Sequence, residues 1–241
     1  MESTPENTEI QASKKSKTKT DNLVEPNNQL EIKLDNFSNA GEMMRYAELL
    51  IESKLLPAHI KTPQAALVIM QKGKDLGFPL SSAFDYIYVI DGKPSLSSQA
   101  LGAILRKGNI AYKTVKDFEP VYETDSITGE KVKYRRTEAG VVRDDEKGTG
   151  YKKIDTETVI EFYRKWNGST ITELALFKLS EAKEQGLLDR PVWMKMPSTM
   201  LWHRAFAKGA RRVAPDLMLG LYTIYELADS SAKDINYDEI Q

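Results

Sequence analysis

The stretch Tyr86-Ile87-Tyr88-Val89-Ile90-Asp91-Gly92-Lys93-Pro94-Ser95-Leu96 reads as a β-hairpin. Its first arm is aromatic and β-branched, a composition that favours strands. Asp91-Gly92 is a two-residue turn whose twist matches that of paired strands. Lys93 to Leu96 returns as a short strand, and Pro94, which lacks an N–H, places that strand at a sheet edge. Helical signals stand on both sides of the hairpin. A short antiparallel sheet packed with helices is an α+β arrangement, and that is the expected fold class.

Upstream, Thr62-Pro63 is a helix start, with proline at the first helical position. That helix runs through Ala66, Ile69 and Met70 and stops at Gly77, where a left-handed cap costs little. Before it, Asn39-Ala40-Gly41-Glu42 has capping-box spacing, and Met43, Met44, Ala47, Leu50, Ile51 and Leu55 recur at helical intervals. Residues 1–36 carry few large apolar side chains and are expected to be a disordered tail. Lys14-Lys15-Ser16-Lys17-Thr18-Lys19 within them reads as a solvated basic cluster.

Downstream, Ser97 or Ser98 caps a helix through Leu101, Ile104 and Leu105 that closes on Arg106-Lys107-Gly108. Residues 110–165 read as β. Strand-like runs cover 110–115, 131–136 and 158–163, punctuated by Thr128-Gly129 and Gly148-Thr149-Gly150. The rest reads as helical. One segment begins near Ser169 or Thr170 and holds Leu174, Leu176 and Phe177. A short one spans Ser180 to Gln185, and a longer one begins at Ser198, after Pro197. From Glu226 the chain turns acidic. The folded domain is therefore expected over 37–227, with 228–241 a flexible acidic tail.

The 241 residues hold 34 Lys+Arg against 35 Asp+Glu, a formal charge of −1. Taken as a total, this argues against a nucleic-acid partner. Resolved along the chain, it is a cancellation. Between Trp193 and Pro215 stand Lys195, Arg204, Lys208, Arg211 and Arg212 with no acid. On a helix the last four share a face about 100° wide. The opposite stripe, Trp202, Phe206, Gly209, Ala210 and Val213, faces the core. Cations so spaced repel one another, so they need either an anionic partner or acids from another segment. A second basic run places Lys131, Lys133 and Arg135 on one face of a strand, with Val132 and Tyr134 on the other. Tyr86, Tyr88, Trp193 and Tyr222 are candidates for either stacking or the core. Glu226, Asp229, Asp234, Asp238 and Glu239 read as a solubilising tail or as a mobile arm that competes with a polyanion.

Several chemistries are excluded. With no cysteine there are no disulfides, thiol nucleophiles or Cys-ligated metals. Gly73-Lys74 and Gly92-Lys93 are followed by Asp75 and Pro94, so no nucleotide phosphate loop is present. His59 and His203 have no second ligand at metal spacing. Glu181-Ala182-Lys183 has the form of a metal-nuclease element, but Pro215-Asp216 lies on the wrong side of it. The longest apolar run, Ala65 to Met70, is far short of the roughly 20 residues that span a bilayer. No secretory signal opens the chain, so a cytoplasmic location and no membrane partner are expected.

The C-terminal block carries a resemblance. Leu179-Ser180-Glu181-Ala182-Lys183-Glu184-Gln185-Gly186-Leu187, then Trp193, Pro197, Met200-Leu201, Arg204-Ala205, Ala210-Arg211, Pro215-Asp216 and Gly220-x-Tyr222, resemble the RecT family of phage and prophage single-strand annealing proteins. Gly77-Phe78-Pro79-Leu80-Ser81-Ser82-Ala83 followed by the hairpin is similar to that family's N-terminal half. The resemblance covers roughly 39–227, and Gln185 departs from the Gly or Ala many relatives carry. It implies a RecT and Red-beta-like annealing core. It also implies an ATP-independent recombinase that coats single-stranded DNA as a ring or helical homo-oligomer, holds the annealed duplex and works beside a phage exonuclease in a bacterial host. It is not an enzyme in this reading. No cofactor is expected, with a divalent cation at most modulating DNA binding.

On that reading Arg204, Lys208, Arg211 and Arg212 contact phosphates, with Lys195, Lys131, Lys133 and Arg135 assisting. Four contacts on a single strand give a salt slope of about −3 per protomer. Arg211 has an alternative, a pair with Asp216 inside the fold. The competing function is a non-recombinogenic oligomeric interaction factor of phage or host that docks protein through the acidic tail and the Met43/Met44 helix.

Overall fold

The computed structural model describes Phe37 and residues 39–230; the N-terminal tail and most of the C-terminal tail lie outside the described residues. Among the described residues the class is α+β, with three small sheets and helices around them.

Helix α1 (Ala40–Glu52) begins at Asn39, whose side chain accepts from the Glu42 N–H at 3.0 Å. It ends before Leu55, which is 82% exposed and not part of the buried stripe. Helix α2 (Pro63–Asp75) is capped by Thr62, and Gly77 turns the chain at φ +66°. Helix α3 (Leu80–Tyr86) delivers the chain straight into β1 (Ile87–Ile90). Asp91 and Gly92 both take positive φ, and β2 (Lys93–Leu96) pairs back on β1. The edge position expected for Pro94 is corrected. β2 is the middle strand, because β9 (Tyr222–Thr223) adds in parallel beside Ser95 and Leu96. Pro94 is tolerated because that two-residue partner stops short of it. Helix α4 (Ser98–Lys107) is capped by Ser97 Oγ.

The main sheet is antiparallel, in the order β3 (Ile110–Tyr122), β7 (Lys153–Trp166), β8 (Ser169–Lys178). Residues 169–178, read from sequence as helical, are a strand. Asn167 and Gly168, both at positive φ, make a tight turn out of β7, and ten register pairs follow without a shift. Burial then alternates, with Ala175 and Phe177 inside and Leu174 exposed, a period of two rather than 3.6. A third sheet, β5 (Gly140–Arg143), β4 (Lys133–Thr137) and β6 (Gly150–Tyr151), extends from the β3–β7 end.

Helix α5 (Leu179–Glu184) ends at Gly186 (φ +66°), and α6 (Pro191–Lys195) leads into α7 (Pro197–Val213). Helix α7 lies on the main sheet. Phe206 meets Phe162 and Tyr112 at ring separations of 5.8 and 4.8 Å. Gly209 sits on the Phe162 ring so closely that an added Cβ would fall 2.1 Å from a ring carbon. Helix α8 (Pro215–Met218) and α9 (Ile224–Ser230) close the far side. The domain boundary at 227 is corrected. Ala228 and Asp229 belong to α9 and are buried, because Trp193 Nε1 donates to Asp229 Oδ1 at 3.0 Å. Among the described residues no helix is long and apolar enough to cross a membrane.

Candidate nucleic-acid interface

Helix α7 is buried on more than its predicted stripe. Phe206, Gly209, Ala210 and Val213 are inside as expected, but so are Met200, Leu201, Ala205 and Ala207. Only a narrow strip is left for the cations, and the segments packed beside it supply partners for all four. Of the two alternatives the sequence leaves open, the structure shows the second: acids from α5, β8 and α9 pair with the cations.

Arg204 is the most enclosed. Its side chain is 16% exposed, it donates to Gln185 Oε1 at 2.6 Å, and its Nε lies 3.5 Å from Asp229 Oδ2. Burial raises the Asp229 carboxyl above its ordinary value, with the Trp193 N–H and Arg204 opposing. Lys208 donates to the Leu176 carbonyl at 3.1 Å and to Glu181 Oε2 at 3.2 Å, over the Phe177 ring. Arg211 forms a two-pronged pair with Glu226 and lies over Tyr222. Burial pushes the Glu226 carboxyl up, but Arg211 and the Thr223 donors outweigh it and hold it below the ordinary range. Asp216, the alternative partner weighed for Arg211, is taken by Arg164 through two bonds of 2.6 Å. Arg212 meets Glu173 at 3.0 Å and stays 55% exposed.

Lys195 ends α6, exposed and without an ion pair among the described residues. The second basic run lies on the third sheet, away from α7. Lys131 precedes β4 and reaches over the Tyr122 ring at 4.7 Å. Lys133 is half-buried within β4. Arg135 pairs with Asp144 at 2.9 Å. Acids interleave there too: Asp125 and Asp145 clasp Arg143, which holds Asp125 down to about 2. Val132 is buried as expected. The two basic runs thus sit on different elements, α7 and the third sheet. Tyr88 and Trp193 are core aromatics, whereas Tyr222 is half exposed.

Electrostatically, the four α7 pairs differ in how readily a phosphate could replace the acid. Glu226 and Asp229 are enclosed, with side chains 9% and 1% exposed, so exchanging them would strand a buried charge. Glu173 and Glu181 are 29% and 31% exposed and can re-solvate. Arg212 and Lys208 are therefore the cations able to turn towards an external polyanion. Sequence reasoning missed Gln185, Glu173, Glu226 and Asp229 as partners. The signal available was the run of acids at Glu173, Glu181, Glu184 and Glu226 flanking an acid-free helix. No group of three or more acidic or histidine side chains is placed to hold a metal among the described residues.

Compared with known proteins, the chain matches no protein-family model, no curated protein and no solved structure.

Proposed function

We propose that this chain binds single-stranded DNA through its phosphates and anneals complementary strands without ATP, as a homo-oligomer of the RecT type. One observation carries the reading. The residues whose order and spacing resemble that family converge on a single helix. Glu181 meets Lys208, Trp193 and Arg204 share Asp229, Tyr222 lies against Arg211, and Asp216 anchors Arg164 beside the end of α7. Ordinary motifs scattered over the C-terminal block are thus one contact network around the cationic helix. Phosphate contacts position a strand without reading its bases, as annealing of arbitrary sequences requires. Arg212 and Lys208 make the exchangeable contacts, with Lys195 and the third sheet's Lys131, Lys133 and Arg135 adding to them. Arg204 and Arg211 brace the helix. Product duplex, a phage exonuclease partner and a bacterial cytoplasmic setting belong to the same proposal.

The test is annealing of two labelled complementary strands without ATP, over a salt series. Formation of duplex faster than the spontaneous rate, weakening as salt rises, is expected. No acceleration at low salt would overturn the reading. The interaction-factor alternative has its own support in β5, where Val141 and Val142 are 62% and 42% exposed. It predicts no strand binding at all.

A further inference from the structure

The three tryptophans are treated differently by the fold. Trp193 and Trp202 spend their indole N–H groups on Asp229 and Thr114. Trp166, at the end of β7 before the Asn167–Gly168 turn, donates to no described residue and is 52% exposed. A ring of this size left open is unusual, since its burial would stabilise the fold.

The ring is nonetheless held. Arg164, two residues earlier and on the same sheet face, places its guanidinium 4.7 Å from the Trp166 ring centre. Arg164 is in turn fixed by both carboxylate oxygens of Asp216 and by the Val213 carbonyl at 2.9 Å. That carbonyl is at the C-terminal end of α7, so Trp166 stands on the same side of the sheet as the α7 cations. Arg212, the most exposed of them, is one residue from Val213.

We propose that Trp166 is a base-stacking platform: an unpaired nucleobase of a single strand stacks on the exposed Trp166 ring, while Arg212 takes a flanking phosphate. The inference rests on the single-strand reading above and names a site for the bases in addition to the backbone. A stack is sequence-tolerant because every base has a π face. One platform per protomer leaves the other bases free to pair.

The experiment is titration of the full chain with oligodeoxythymidylate, read by tryptophan fluorescence and by anisotropy of a labelled strand. The intact strand should quench the fluorescence. Trp166→Ala should remove the quench and weaken binding about ten-fold, whereas Trp166→Tyr should lose the quench but hold affinity within about two-fold. A strand with abasic sites should bind the parent protein about as weakly as the intact strand binds Trp166→Ala. Unchanged affinity in Trp166→Ala, or equal affinity for the abasic strand, overturns the platform and leaves single-strand binding standing. No binding by the parent protein overturns both.

Discussion

Arg211 and Glu226 form a two-pronged ion pair that ties the last turn of α7 to α9, with Glu226 also accepting from the Thr223 N–H and hydroxyl. Glu226 stands where the sequence first turns acidic, so the start of the expected tail is a brace for the helix.

Arg211→Ala should therefore act on stability before it acts on DNA. Removing the cation strands a nearly enclosed carboxylate, and a loss of about 3 kcal/mol in urea unfolding is expected. Arg211→Met with Glu226→Leu should recover most of it, because both charges leave together. A stable Arg211→Ala protein that fails only in strand binding would instead make Arg211 a phosphate contact.

Lys208→Ala and Arg212→Ala should behave the other way. Their partners are solvated, so each should cost within about 1 kcal/mol of stability. Each should weaken single-strand binding and reduce the log–log salt slope by about 0.7, the increment for one phosphate on a single strand. Anisotropy titrations across a salt series measure both quantities. An unchanged slope in the double variant would remove α7 from the interface.

Gly209→Ala tests how α7 sits on the sheet. The added methyl would meet the Phe162 ring rather than the end of a flexible chain, and the helix must lift. A destabilisation of about 3 kcal/mol is expected by thermal or urea unfolding. Combining it with Phe162→Leu should restore part of the loss. No loss in Gly209→Ala would mean that the helix–sheet separation is looser than described.

The parts legible in the sequence are those whose signals are local. Asn39, Thr62 and Ser97 cap their helices by bonds to the N–H three residues on, and Asp91-Gly92 turns its hairpin. In β8, Leu174, Leu176 and Phe177 fit a helical period as well as a strand period, and only the Asn167-Gly168 turn decides between them. α6, α8 and β9 are too short for any periodicity to show. For the candidate site, the cationic face was visible but its neutralisation was not. The partners of Arg211, Lys208 and Arg212 lie 15, 27 and 39 residues away, a distance only the folded topology spans.

His203 gives the fold an acid sensitivity of determinable sign. The imidazole is stacked on Tyr225 at 4.0 Å, edge-on to Trp202, and hydrogen-bonded to Ser98 Oγ at 2.8 Å. Burial lowers its pKa from 6.5 to about 4, so the folded chain holds it neutral where the unfolded chain binds a proton. Stability from this group is full above about pH 6.5 and falls as the pH drops towards 4, by at most about 3 kcal/mol. Protonation puts a charge into the desolvated site that the ring shares with Ser98 of α4 and Tyr225 of α9, which weakens the packing of α7 on both. His203→Gln, which keeps a partner for Ser98 and removes the titration, should be less stable than the parent at pH 7 but lose less on going to pH 4.5. Urea unfolding of both proteins at the two pH values measures this. Parallel losses in the two proteins would assign the acid sensitivity to the carboxylates instead, with Asp216 and Glu226, both held below their ordinary values by arginines, as the first to examine.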